Sequence, residues 1–189
     1  MRKTSVAVIM IFVLCFTTIQ VLAQGGGVEW KRLNQEVEEL YRAGQYDRAV
    51  TVAQAALEAA EKNAGPDHPD VATSLNNLAE LYRVQGAYAK AEPLYKRSLA
   101  IWENAGPDHP NVATSLNNLA GLYKAQGDYA KAEPLFKRSL AIREKALGPD
   151  HPDVAVSLEN LAELYRATNR WAEAEKLEAR AKIIRAIKR

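Results

Sequence analysis

Gly65-Pro66-Asp67-His68-Pro69-Asp70-Val71-Ala72-Thr73-Ser74-Leu75-Asn76-Asn77-Leu78-Ala79-Glu80-Leu81-Tyr82 decides the fold, together with the residues that follow it to Ala105. The same text returns at Gly106 and, more loosely, at Gly148, with starts 41 and 42 residues apart. A diverged copy lacking the Gly-Pro lead-in runs from Val28 to Ala64. Self-similarity at such a period means that one small unit is stacked several times, because no single copy can bury its apolar face alone.

Two helices account for one unit. Leu75, Leu78, Ala79 and Tyr82 fall at i, i+3, i+4 and i+7, one face of an α-helix. Asp67 or His68 is placed to cap its start, and Pro69 sits in the first turn, where its missing N–H is not needed. Gly86 ends it, since glycine tolerates the left-handed position after a helix. Tyr88, Ala91, Tyr95, Leu99 and Trp102 form the stripe of a second helix. The small residues Ala79 and Ala91 let the two helices approach closely, and the next unit covers what remains.

The pairings Ala79 with Tyr82 and Ala91 with Tyr95, Gly86 between the helices and Tyr88 after it resemble the tetratricopeptide repeat. The longer period, the Gly-Pro-Asp-His-Pro lead-in and Leu-Asn-Asn-Leu-Ala are similar to its kinesin light chain and nephrocystin branch. The resemblance covers Val28 to about Ala181. It implies an all-α, right-handed α-solenoid of about four helix pairs with a C-terminal capping helix. It says less about function, because one scaffold serves many partners. Repeats two and three differ at eight of 41 aligned positions, so a residue shared by both speaks for duplication rather than for a site.

The chain has 189 residues and a formal charge of +2. Arg2 and Lys3 precede an apolar run from Val6 to Phe16, then a more polar segment and Val21-Leu22-Ala23. This pattern reads as a secretory signal peptide over 1–23, cleaved after Ala23. The apolar run is shorter than the roughly 20 residues of a spanning helix. An uncleaved membrane anchor is the alternative. Export to the periplasm is the expected location, with no stable membrane span after cleavage. The lone Cys15 lies in the removed segment, so the mature chain would hold no thiolate. Loss of Arg2 and Lys3 leaves 23 basic and 23 acidic side chains. A net charge of zero argues against general nucleic-acid binding.

The organisation expected is a signal peptide at 1–23, a flexible lead-in at 24–27, and repeats at 28–64, 65–105, 106–147 and 148–189. The first repeat places a helix at Trp30 to Tyr41 and a second at Asp47 to Lys62. In the fourth, the turn reads Thr168-Asn169-Arg170, so Asn169 or Arg170 replaces the usual glycine, and asparagine is the next best residue for that geometry. Trp171 to Arg189 then forms the last helix and caps the stack. Ile183, Ile184 and Ile187 either pack back on repeat four or offer a contact to a second copy or another partner. The basic end, Arg180 to Arg189, reads as a solvated cap with positive charge at a helix C-terminus, and contact with anionic lipid or an acidic partner is the alternative.

No paired catalytic carboxylates, Ser-His-Asp arrangement or phosphate-cradling loop stands out, so no enzyme, catalytic residue or cofactor is expected. His68, His109 and His151 are one position in successive repeats. Spaced on the order of 10 Å apart, they cannot share a zinc ion, and a capping role is expected instead of a metal site.

In the family the first helices line a concave groove that takes an extended or short helical peptide. Asn77, Asn118 and Asn160 match the groove asparagine that, in relatives, bonds a peptide backbone. An amide both donates and accepts, as a backbone does. Asn76, Asn117, Thr73 and Thr114 extend the polar strip, and Asn34 and Gln35 continue it in repeat one. The alternative is that these amides are merely solvated or bond the adjacent repeat. Arg83, Lys124 and Arg166 recur one turn on and form a candidate positive row, answered by Glu159 and Glu163. The carboxylate-clamp subtype needs lysine where this chain has Asn76, Asn117 and Glu159, so it departs from that pattern. Gly121 replaces Glu80 and Glu163 mid-helix, at about 1 kcal/mol relative to alanine. Drift explains it; a notch for a ligand residue is the sharper reading.

The sequence therefore points to a protein-interaction scaffold with a protein or peptide partner. Self-association through the last helix, or a small-ligand or carbohydrate binder using groove Tyr and Asn, are the alternatives.

Overall fold

A computed structural model describes residues 27–187. These form eight helices and, among the described residues, no strand. Helix α1 spans 27–42, α2 Tyr46–Ala64, α3 Pro69–Val84, α4 Tyr88–Ala105, α5 Pro110–Ala125, α6 Tyr129–Leu147, α7 Pro152–Ala167 and α8 Trp171–Ile187. The fold class is thus the all-α helix-pair repeat that the periodicity predicts. Gly27, expected in a flexible lead-in, is the first residue of α1. The signal segment 1–23, the rest of the lead-in and residues 188–189 lie outside the described residues.

The helix boundaries follow from local chemistry. His109 and His151 are the N-caps of α5 and α7, and their Nδ1 atoms accept the N–H of Asn111 and Asp153. His68 Nδ1 accepts the N–H of Asp70 in the same way. Of the two caps expected at α3, this bond selects His68. Within each repeat the turn is closed by a pair of backbone bonds. After α3 they run from Gly86 N–H to the Arg83 carbonyl and from Ala87 N–H to the Tyr82 carbonyl. This arrangement needs one residue at positive φ. Gly86 and Gly127 supply it at +75° and +79°, and Asn169 supplies it at +60° in repeat four. Asn169, and not Arg170, therefore takes the glycine's place.

The described residues divide into two compact units on either side of the boundary between Ser74 and Leu75, so α3 contributes its N-terminal turns to the first and the remainder to the second. In the first unit Leu33, Val37 and Leu40 of α1 are buried with a row of small residues, Ala49, Ala53, Ala56 and Ala60, from α2. The indole N–H of Trp30 donates to the Ser74 hydroxyl at 2.8 Å.

In the second unit, successive helices from α4 to α8 pack on one another. Three alanine pairs recur at matched positions: Ala79 and Ala91, Ala120 and Ala132, Ala162 and Ala174, all buried. Around them Tyr95, Leu119, Leu122, Phe136, Leu161 and Leu164 make one continuous apolar cluster. On α8, Ile184 is 1% exposed and packs with Val154 and Leu158, whereas Ile183 and Ile187 are 62% and 61% exposed. The expectation that all three isoleucines pack back on repeat four is thus met only by Ile184, because the other two flank its buried stripe and are turned to solvent.

Candidate functional site

Asn76, Asn117, Asn118 and Asn160 come together in the second unit. The Asn118 amide donates to the Asn76 carbonyl oxygen at 3.0 Å, and the Asn160 amide donates to Asn117 at 2.8 Å. Asn117 donates in turn to Asn118 at 3.5 Å. The four side chains form one chain of amides across three repeats. Its stagger is regular: the second asparagine of one pair reaches the first asparagine of the preceding pair. These residues therefore bond the adjacent repeat, one of the roles open from sequence. An amide carries two donor hydrogens and two acceptor lone pairs, so each retains unspent capacity. Asn77 lies beside Asn76 on α3 and is engaged as well.

Repeat four ends the amide chain, because Glu159 stands where Asn76 and Asn117 stand. Arg185 holds Glu159 with two bonds, at 2.7 and 2.6 Å, and keeps its carboxyl below the ordinary carboxylate range. In the first unit the Asn34 amide donates to the Trp30 carbonyl and that of Gln35 to Glu39. Thr73 returns its hydroxyl to the Pro69 carbonyl of its own helix, and Thr114 is exposed on α5 one turn before Asn117 and Asn118.

The candidate positive row is not a row of unmatched cations. Arg83 is held bidentately by Glu80 at 2.7 and 2.6 Å. Lys124 pairs with Glu163, and Arg166 pairs bidentately with Glu178. Each charge has found a carboxylate, because each helix pair carries glutamates within reach of these positions.

Gly121 faces open space: a Cβ placed there would meet nothing within 4 Å. It lines a recess of about 250 Å³ with Asn117, Asn118, Asn160, Lys124 and Phe136. The Phe136 ring is 2% exposed and forms the floor. In repeat two the corresponding residues are Glu80 and Tyr95, and the Tyr95 hydroxyl donates to Glu80 at 2.7 Å. Burial, and then the Glu80 charge, push the Tyr95 hydroxyl pKa up, so it stays a neutral donor. Sequence reasoning singled out Gly121 and missed Phe136. The signal was available, since two of the eight differences between repeats two and three are Glu to Gly and Tyr to Phe at the same fifteen-residue spacing.

Two larger recesses lie elsewhere. One, of about 540 Å³, lies in the first unit beside Arg32, Glu39 and Arg48. Another, of about 510 Å³, lies beside Glu159, Lys182 and Arg185. Of the three, only the recess at Gly121 reaches an aromatic ring, so none offers the aromatic platform a carbohydrate binder would use. Among the described residues no three His, Cys, Asp or Glu side chains gather as a metal site, and no helix is long and apolar enough to cross a membrane.

A second recurring arrangement joins the repeats. Tyr123 on α5 donates its hydroxyl to Glu92 on α4 at 3.0 Å, and Tyr165 on α7 donates to Glu133 on α6 at 3.2 Å. Lys96 pairs with Glu92, and both Lys137 and Arg170 pair with Glu133. These cations and hydroxyls hold both carboxyls below their ordinary value. Arg170 also lies over the Tyr165 ring, 3.8 Å from its centre.

A sequence model of the family described as "Tetratricopeptide repeat" matches residues 40–104, 71–145 and 116–182. Nephrocystin-3 of Xenopus laevis is 44% identical over 55 residues, 29% of this chain and 4% of that protein. The protein of the same name from Xenopus tropicalis matches with the same values. Among solved structures, BtubC (BKLC) from P. vanneervenii superposes with a TM-score of 0.75 at 30% identity, covering 84% of this chain and 63% of that one. A putative kinesin light chain of Podosopora anserina, described as nearly identical TPR-like repeats, gives 0.67 at 26% identity, covering 90% and 87%. The chain thus spans a small fraction of the nephrocystin relatives and just under two thirds of BtubC.

Proposed function

Because the chain belongs to the tetratricopeptide repeat family, we propose that it is a non-enzymatic scaffold that binds a peptide or partner surface along the asparagine-lined face of α3, α5 and α7. The observation that carries this reading is the amide chain Asn160–Asn117–Asn118–Asn76. It fixes the side chains in place while leaving donors and acceptors on each. Such a fixed, mixed array suits a peptide backbone, which offers both kinds of group and costs little ordering at the receptor. The surrounding charges are paired, so no uniform acidic or basic partner is called for.

The test is a crosslinking pull-down with the purified protein as bait against an Asn117→Ala, Asn118→Ala, Asn160→Ala variant of matched helicity. A partner caught by the first and lost by the second places binding on this face. A partner retained by both moves it elsewhere.

Export is part of the proposal and rests on residues 1–23 alone. Intact mass of the protein recovered from its host checks it: a species beginning at Gln24 supports cleavage and periplasmic residence, and a full-length membrane-bound species supports an anchor.

Self-association is the second reading, favoured by Ile183 and Ile187, one turn apart and both exposed on α8. Light scattering across a concentration series, with Ile183→Glu and Ile187→Glu as controls, separates it from the first.

A further inference from the structure

Repeat three lacks a side chain that repeats two and four carry. Glu80 and Glu163 stand where it has Gly121, and a Cβ placed there would meet nothing within 4 Å. The recess of about 250 Å³ at Gly121 is therefore open where a glutamate would otherwise lie. The Phe136 ring beneath it is buried and offers no hydrogen bond, so the polar walls decide what fits.

Charge is the first filter. Arg83 and Lys124 border the recess, and each already holds a carboxylate, Glu80 and Glu163. The four charges sum to zero. A ligand carboxylate or ammonium would either stand unmatched or displace one of these partners, and both are costly in a half-enclosed site. Hydrogen bonding is the second filter. Asn117, Asn118 and Asn160 line the same recess. Their bonds all run one way, from Asn160 to Asn117, to Asn118, to Asn76, so each spends one N–H on the next carbonyl oxygen and keeps a second. Asn160 heads this chain, and no side chain among the described residues donates to its carbonyl oxygen. The walls thus offer free N–H donors and a free acceptor together. An apolar occupant would take water from these groups and return no bond. A neutral side chain that both donates and accepts is the match. Serine and threonine hydroxyls stand close to their own backbone, whereas glutamine carries an amide at the length of the missing glutamate and without its charge.

Resting on the groove reading above, we infer that the recess at Gly121 is a subsite for one glutamine side chain of a partner peptide. Its carboxamide extends the asparagine chain: its oxygen accepts an N–H from Asn117 or Asn118, and its own N–H donates to the Asn160 carbonyl oxygen. The flanking backbone lies along the asparagine-lined face of α3, α5 and α7. Selectivity comes from one amide at a fixed place.

The probe is a phage-displayed library of random dodecapeptides selected on the purified protein. The sequences recovered share glutamine at one position. Its replacement by leucine, which keeps bulk and removes the bonds, weakens binding about tenfold, and replacement by glutamate, which adds an unmatched charge, does the same. Gly121→Glu and Gly121→Gln each refill the recess from within. Both weaken binding to a similar degree and make the peptide's leucine replacement silent, whereas Gly121→Ala, which adds one methyl group, keeps the preference for glutamine. Asn160→Ala lowers that preference. Circular dichroism of the variants confirms retained helix. Peptides that bind wild type, Gly121→Glu and Gly121→Gln equally, yet weaken on Asn118→Ala, would overturn the subsite and leave the groove reading intact. An apolar, acidic or basic consensus at the selected position would overturn it too. Recovery of no peptide above background would overturn both.

Discussion

The Tyr95 hydroxyl donates to the Glu80 carboxylate at 2.7 Å, fifteen residues back along the chain on the paired helix of the same repeat. Tyr95 is fully buried, so this bond satisfies a group that water cannot reach. One repeat later both of its ends are absent. The two substitutions are therefore energetically coupled, and repeat two can be rebuilt as repeat three. Glu80→Gly alone leaves the buried hydroxyl without this acceptor, about 1–3 kcal/mol, besides the helix cost of glycine, about 1 kcal/mol. Adding Tyr95→Phe removes the first penalty. Chemical denaturation should find the double variant more stable than the Glu80→Gly single variant. Equal or additive losses would contradict the coupling.

Gly121 gives the converse case. Its helix position has open space around the missing Cβ. Gly121→Ala should stabilise the chain by about 1 kcal/mol, read as a shift in denaturation midpoint.

The histidine caps predict a different pattern. His109 accepts from Asn111 at the start of α5 and stacks on Trp102, with ring centres 5.1 Å apart. His109→Ala should cost about 1 kcal/mol, and His109→Asn, which keeps an acceptor at the cap, should recover most of it. Amide hydrogen exchange in the first turn of α5 reads the same loss locally.

The Glu92 and Glu133 junctions set an acid limit. Hydrogen bonds from Lys96 and Tyr123, and from Lys137, Arg170 and Tyr165, hold these carboxyls below their ordinary value of 4.5. The folded chain therefore binds fewer protons than the unfolded chain between that value and the folded one. The stabilisation is complete above about 4.5 and is lost as pH falls through the folded values. Thermal melts from pH 7 to pH 3 should show this decline. The double variant Glu92→Gln, Glu133→Gln should start lower and fall less steeply.

Close packing of the alanine pairs gives the last stability test. Ala132 is fully buried in the shared core. Ala132→Leu has no space to fill and should cost about 1–3 kcal/mol.

Most of the fold was legible because helix period, proline starts and glycine turns all agree locally. Even the Asn169 turn could be read from the residue's tolerance of positive φ. What escaped were relations between side chains distant in sequence. Glu92 with Tyr123 and Glu133 with Tyr165 join separate helices, and no local pattern announces them. Asn118 with Asn76 was open between ligand and neighbour, since an amide serves either. Lys124 and Arg166 read as part of a positive row because a single-helix view omits Glu163 and Glu178, supplied by neighbouring helices, whereas the partner of Arg83, Glu80, stands one turn back on its own helix. Phe136 was hidden because a tyrosine-to-phenylalanine change looks conservative until its lost partner, at Gly121, is placed beside it.

The account turns on where a partner touches the molecule. The most direct measurement is photo-crosslinking in the native host with p-benzoylphenylalanine placed at Thr114, exposed beside the asparagines on α5, or at Ala141, exposed on α6. The account predicts a crosslinked partner from position 114, abolished by Asn117→Ala with Asn118→Ala, and none from position 141. A partner captured from position 141 and not from 114 would contradict it.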